Sequence, residues 1–282
     1  MRSEPALSPQ SRAKTKWGDL RPRVLSALVL IPVALLSIWM GGYTFAALVA
    51  LAAVGMAYEW LGLCQARGDL LAALPFAALP VAVLLITWGA MAAAFLLLAV
   101  AMLVSAVMTG GITLLRPLAF GIPYLGLGAL ALVWLRQAPA AGLANVIGLL
   151  VVVWASDIGA YAVGRAFGGP LLAPAISPGK TWSGAVGGLA AAAAMGACAA
   201  FVLDGSGFAV WRSVGIAMLI GLVAQLGDLF ESRLKRHFGV KDSGGLIPGH
   251  GGLLDRLDAL LAAAPVGALL ALVLGRGVIL WK

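Results

Sequence analysis

The chain has 282 residues, of which 62% are hydrophobic and 11% charged, with a mean hydropathy of +1.03 and a formal net charge of +8. A soluble domain carries about 25% charged residues, so a water-soluble fold is excluded and an all-α, polytopic integral membrane protein is expected. The basic balance does not point to nucleic acid, because the cations lie between apolar segments and form no face interleaved with aromatics. Cys64 and Cys198 are isolated in or beside apolar runs, with no metal-ligand spacing and no disulfide framework, and read as small buried residues.

Residues 1–23 hold Arg2, Arg12, Lys14, Lys16, Arg21 and Arg23 against Glu4 and Asp19, which predicts a disordered basic cytoplasmic tail attracted to anionic lipid. The apolar run that follows is long and shows no clear cleavage site, so no cleavable signal is expected. Apolar segments lie at about 24–41, 43–63, 70–88, 91–109, 119–135, 143–164, 184–203, 211–230 and 257–280. Each approaches the ~20 residues a membrane helix needs, giving nine spans, with eight or ten as alternatives around the weak boundary at Gly89. Their abundance of Ala and Gly suits close helix packing.

With the N-terminus inside, only Arg136, Arg212, Arg276 and Lys282 of the 19 Lys and Arg fall outside. That bias follows the positive-inside rule and places the 165–183 and 231–256 loops on one, cytoplasmic, face. The spans divide into a five-helix scaffold over 24–142 and a four-helix catalytic domain over 143–282.

Ten of the 30 charged side chains crowd into Gln225–Asp258, QLGDLFESRLKRHFGVKDSGGLIPGHGGLLDRLD, where His250 adds a further titratable group. Asp228, Glu231, Ser232 and Lys235 share one helical face by spacing, and so do Asp255 and Asp258. Two carboxylate-bearing helix ends joined by a glycine-rich link can bring their oxygens together, which is what Mg²⁺ requires when phosphate oxygens complete its shell. The plainer reading pairs Asp228 structurally with Lys235 or Arg256. In the link, Ser243–Gly252, glycines let backbone N–H groups approach an anion, and His250 either touches phosphate or shapes the loop. Lys235, Arg236, Lys241 and Arg256 form a clamp for a polyanion, or else simply a positive-inside signal at lipid headgroups.

A second polar island runs from WASDIGAYAVGRAFGGP (Trp154–Pro170) to ISPGKTWSG (Ile176–Gly184). Asp157, Tyr161 and Arg165 share a face of the sixth span, while Ser177, Lys180, Thr181 and Ser183 lead into the seventh. Hydroxyls and a lysine before a helix N-terminus suit phosphate; ordinary capping by Thr181 or Ser183 is the alternative. This is no P-loop, since Pro174 occupies the place of the first glycine. Glu59, alone in the second span, reads as a helix-packing hydrogen-bond partner or a site residue.

The run Ser232-x-Leu234-Lys235-Arg236-x₄-Lys241-Asp242-x-Gly244-x₂-Ile247-Pro248-x-His250-Gly251-Gly252-Leu253-x-Asp255-Arg256-Leu257-Asp258 resembles, without a gap, the signature of the phosphatidate cytidylyltransferases, or CDP-diglyceride synthases. The elements SD-x-x-AY-x-x-GR-x-FG (from Ser156) and SP-x-KTW-x-G (from Ser177) resemble the same family, in which the position of Ser183 is usually acidic. The resemblance implies that CTP and phosphatidic acid give CDP-diacylglycerol and pyrophosphate. It implies Mg²⁺ on Asp228 and Asp255 with K⁺ beside it, Asp258 and Asp157 as further ligand candidates, and a homodimer. Lys180, Lys235, Arg236, Lys241 and Arg256 would hold the triphosphate and lipid headgroup, with His250 a catalytic candidate. Arg165, Ser177, Thr181, Ser232, Asp242, Gly251 and Gly252, within the matched elements, are candidate substrate contacts. Two other functions compete. An ion-coupled transporter would place its acids at the midplane and show inverted repeats, and a CDP-alcohol phosphotransferase would need a DG-x₂-AR…G…D-x₃-D pattern that is absent from the sequence.

Overall fold

The computed structural model describes residues 9–108, 117–203 and 207–282. Among these lie nine helical segments long and apolar enough to cross a membrane, running from Pro22–Met40 to Leu254–Leu274. The protein is therefore an all-α polytopic membrane protein. Residues 1–8 of the expected tail, and Arg116, lie outside the described residues. Helix α1 (Pro9–Met40) begins within the stretch expected to be disordered. Its SRAKTK sequence is rich in helix formers and continues a membrane helix, so the costly nucleation step is already supplied.

Helix α2 (Gly42–Leu63) returns across the bilayer. The third span is broken into α3 (Leu70–Ala73), a 3₁₀ turn (Leu74–Ala77) and α4 (Ala78–Thr87). Pro75 lies in that turn and has no N–H to offer an α-helical ladder. Gly89, at φ +82°, turns the chain into α5 (Met91–Met108), so the boundary that sequence left open is a true helix end. After α6 (Pro117–Arg136) and α7 (Gly142–Phe167), Gly168 and Gly169 at φ +60° and +103° reverse the chain. A short antiparallel hairpin follows, β1 (Leu171–Ala173) with β2 (Ser177–Thr181), where only a loop was expected. Helices α8 (Trp182–Leu203), α9 (Gly207–His237) and α10 (Leu254–Leu274) complete the chain.

Helices α2, α4, α5 and α6 form one group and α7, α8, α9 and α10 another; α10 packs on α6 and joins them. The second group is closed by small residues, as in lipid, where helix association relies on close van der Waals contact. A Cβ added to Gly159 would stand 2.5 Å from the Ala191 Cβ, and one on Gly196 would stand 2.6 Å from the Ser213 carbonyl. Cys198 is exposed along α8, contrary to the buried position expected of it, because an apolar residue on a membrane helix need not face protein.

Gly227 brings α9 against α10 beside Asp228: a Cβ there would lie 2.5 Å from the Ala262 Cβ and 3.1 Å from the Asp258 carbonyl oxygen. Gly227→Ala is expected to part these helices and lower stability by about 1–3 kcal/mol. The swap Gly227→Ala/Ala262→Gly should recover most of that loss, as read by thermal unfolding in micelles. A double variant no more stable than Gly227→Ala would show that this contact does not set the helix separation.

The two ends of the bundle differ chemically. At one, Arg136 donates to the Ile38 and Trp39 carbonyls and Arg212 to the Ile279 carbonyl. The last span was expected to reach residue 280, yet α10 stops at Leu274, and Gly275 at φ +112° folds the terminus back. There Asn145 donates to the Val278 carbonyl at 3.0 Å and accepts from Leu280 N at 2.8 Å, seating the buried Leu280 and Trp281. The other end gathers the polar islands.

Candidate active site

Helix α9 runs two turns past residue 230, so Asp228, Glu231, Ser232 and Lys235 all sit on one continuous helix, as their spacing predicts. The hairpin β1–β2 delivers Lys180 to this face, where its Nζ lies 2.5 Å from Asp228 Oδ2. Asp228 is thus paired, but with Lys180 and not with Lys235 or Arg256 as the structural alternative held. Ser232 Oγ is 3.5 Å from Asp228 Oδ1. Lys235 lies between two helices: its Nζ donates to Asp255 Oδ1 at 2.7 Å and stands 3.2 Å from Glu231 Oε1. Only 13% and 10% of the Lys235 and Asp255 side chains is exposed, so water screens this pair little.

Asp255, one residue into α10, also accepts from Ser243 N at 3.0 Å and Gly252 N at 3.2 Å. Two loop amides that the sequence offered to a phosphate are therefore spent on the protein's own carboxylate. Three donors leave Asp255 about one of its four acceptor positions. Asp258, one turn on, accepts from Ala259 N at 2.7 Å, and its carboxylate lies within electrostatic range of both Asp228 and Asp157. Asp157 on α7 is in turn within range of Asp228 and Lys180.

The loop Ser243–Gly252 is anchored from the N-terminal helices. Ser26 of α1 lies 2.9 Å from His250 Nδ1 and donates within 3.1 Å of the Pro248 carbonyl. Arg256 donates through Nε and Nη2 to the His250 carbonyl. The His250 Nδ1 thus faces α1, and its carbonyl is held by Arg256. Glu59, fully buried on α2, accepts from Leu254 N at 2.8 Å, Leu253 N at 2.9 Å, and Leu246 N and Ser243 Oγ at 3.4 Å.

The remaining candidates are dispersed. Thr181 Oγ1 accepts from Gly184 N at 3.1 Å and so caps α8, as the alternative reading held. Ser183 donates to the Gly168 carbonyl, a role that needs no acidic side chain. Arg236 ties α9 to the hairpin through the Ile176 carbonyl at 3.3 Å. Arg165 is exposed near the Tyr161 hydroxyl at 3.4 Å, while Ser177 lies on β2 across from Ala173. Lys241 and Asp242 are exposed on the loop, and Gly251 closes its turn at φ +85°. Sequence reasoning assigned no role to Gln225, whose amide donates to Ser156 Oγ at 3.1 Å and the Ala185 carbonyl at 3.2 Å and so clamps α7, α8 and α9 together. A lone amide within an apolar helix was the available signal.

Five carboxylates, Asp157, Asp228, Glu231, Asp255 and Asp258, thus share a region holding two paired lysines. Glu231 Oε2 is buried without a partner, and its Oε1 meets Lys235 without hydrogen-bond geometry. Among the described residues no three acidic, His or Cys side chains converge on one point. In donor type and charge excess, however, the set fits a hard oxygen-seeking cation.

Fold and site together define a polytopic membrane protein with an acid-and-lysine centre at one end of its helix bundle. The sequence pattern of the cytidylyltransferase family matches residues 21–274, and the chain belongs to that family. It is similar to phosphatidate cytidylyltransferases of Brucella suis, at 41% identity covering 88% of this chain and 91% of the relative, and of Pseudomonas aeruginosa, at 40% covering 92% and 99%. One from Staphylococcus saprophyticus is 41% identical over 51% of this chain and 54% of its own. The protein is thus an enzyme of the nucleotidyltransferase class.

Proposed function

We propose that this enzyme transfers the cytidylyl group of CTP to phosphatidate, releasing pyrophosphate and leaving CDP-diacylglycerol in the bilayer. The observation that carries the reading is the meeting of Lys180–Asp228 and Lys235–Asp255, ion pairs from three chain segments, at one end of a lipid-embedded bundle. The named substrates of the similar proteins and the signature from Ser232 to Asp258 support it.

A phosphatidate oxygen attacks the α-phosphorus, one P–O bond forms, and the bond to the pyrophosphate oxygen breaks. Phosphate monoesters have a second pKa near 6, so the nucleophile is already ionised and no strong base is required. What remains is neutralising and aligning two polyanions. Lys180 and Lys235 are the cations nearest the carboxylates; Arg236, Lys241 and Arg256 stand at the exposed rim to receive phosphate and lipid headgroup. Mg²⁺ would be held by Asp228 and Asp255, with Asp258 and Asp157 completing the oxygen set and K⁺ beside it, and when bound would neutralise charge at the reacting phosphates. The bacterial relatives support a bacterial inner membrane, the excess of Lys and Arg on the side that carries the site supports its facing the cytoplasm, and the family resemblance supports a homodimer.

The test is purified full-length protein with radiolabelled CTP, phosphatidate micelles and Mg²⁺, scored for label in the lipid phase. Lipid-borne label with matching pyrophosphate release is expected; a folded protein giving neither would overturn the reading. His250 offers a milder check. Ser26→Ala leaves the carboxylates untouched and removes the Ser26 contacts to His250 and Pro248, so a fall of about 3- to 10-fold in turnover is expected, the worth of one to two hydrogen bonds. An unchanged rate would show that α1 does not steady the loop.

A further inference from the structure

We propose that Glu59 is a positioning residue for nucleotidyl transfer, acting from the scaffold half of the protein through the Ser243–Leu254 segment to fix Asp255. The inference rests on the activity proposed above. The geometry is unusual for a helix-packing residue. A carboxylate with no exposed surface accepts from three backbone amides and one hydroxyl, all in a single segment far away in sequence. None of these donors belongs to a neighbouring helix interior; Leu246 N and Ser243 Oγ lie on the loop and Leu253 N and Leu254 N at the start of α10.

The same segment serves a second carboxylate in alternation with the first. Ser243 gives its N–H to Asp255 and its hydroxyl to Glu59 Oε2; Gly252 N goes to Asp255, and the next two amides go to Glu59. Gly252 separates the two anions: a Cβ there would collide with Ser243 Oγ and stand 2.8 Å from Asp255 Oδ2 and 3.0 Å from Glu59 Oε2. Only glycine fits, and the carboxylates stand back to back across it. Glu59 faces the scaffold and holds the segment in place; Asp255 faces Lys235 and the reaction. Because the N-terminal turn of α10 hangs from Glu59, the position of the Asp255 oxygens relative to Asp228 depends on a residue that touches neither.

The test compares Glu59→Gln, Glu59→Asp and Ser243→Ala with the unaltered enzyme, in micelles. Gln keeps the size but turns an N–H₂ towards amide donors. Its kcat is expected to fall about 10- to 100-fold, the cost of misplacing a reacting group by about 1 Å, while the KM for CTP changes little. Proteolytic cutting within 243–252 should accelerate in parallel. Glu59→Asp should regain part of the rate, and Ser243→Ala should lose about 3-fold, one hydrogen bond's share. In a Glu59→Gln/Asp255→Asn double variant the losses should not multiply, since both act through one position. If Glu59→Gln fails to fold, Ser243→Ala decides by the same readouts. A kcat within 3-fold of the unaltered enzyme in Glu59→Gln, or unchanged cutting and kcat in Ser243→Ala, overturns the inference. An unaltered enzyme that makes no lipid product instead overturns the proposed function and leaves the loop-cutting comparison to judge Glu59 alone.

Discussion

Asp255→Asn is expected to cut lipid product formation by about 10²- to 10³-fold or more, with the bundle still folded. The argument is local. Asp255 receives Lys235 on Oδ1 and the Ser243 and Gly252 amides on its two oxygens. Asparagine keeps the shape and one acceptor, but turns its N–H₂ towards either the ammonium or the amides. Two donors then face each other in a site with little water, and the negative charge that holds Lys235 is gone. Lys235 retains Glu231, so its ammonium is redirected and not left bare. Loss of turnover with an unchanged unfolding temperature would place Asp255 at the chemistry; an equal fall in both would mark it as a loop anchor only. Activity within tenfold of the unaltered enzyme would remove it from the proposed mechanism.

The spans were legible in the sequence because a membrane helix is declared by length and composition alone, and all nine agree to within a few residues except at their polar ends. There the reading stopped at the last apolar residue, whereas α9 continues through Glu231 and Lys235 to His237, where the i,i+4 ion pair supports it. Near the termini, α1 is likewise helical where charge suggested disorder, whereas Gly275 ends α10 where apolar residues suggested helix. In the site, the acids and lysines were legible as types, since ionisable groups are rare in such a chain. Their pairing was not. Which lysine meets Asp228 is fixed by the β1–β2 hairpin, a feature too short and too glycine- and proline-rich to carry a period. Glu59 shows the same limit: its partners begin 184 residues away, and an isolated acid in a helix announces that it must be satisfied without saying by what. The glycines of the loop had a sound physical reading as an anion cradle, and one of their amides, Gly252 N, is directed at a carboxylate of the chain itself, Asp255.

The Lys180–Asp228 pair bears the other large expectation. It is the only ion pair among the described residues that joins the β1–β2 hairpin to α9, and about a third of each side chain is open to solvent, so as a structural pair it would contribute little. A part-exposed pair worth little to folding, set beside four further acids, makes sense as two groups kept ready for ligands of opposite charge: the ammonium for triphosphate, the carboxylate for a cation. Lys180→Met and Asp228→Asn are each expected to lower kcat/KM by about 10²- to 10³-fold, with unfolding temperatures close to that of the unaltered enzyme. Their profiles should differ. Lys180→Met should raise the KM for CTP, while Asp228→Asn should raise the Mg²⁺ concentration needed for half-maximal rate. If the pair served only to neutralise itself, each single variant would leave one uncompensated charge and the double variant Lys180→Met/Asp228→Asn would recover activity. If the two groups act on different ligands, the double variant stays at or below the poorer single one. Recovery in the double variant would assign both residues to structure and shift the cation and triphosphate sites towards Lys235 and Asp255.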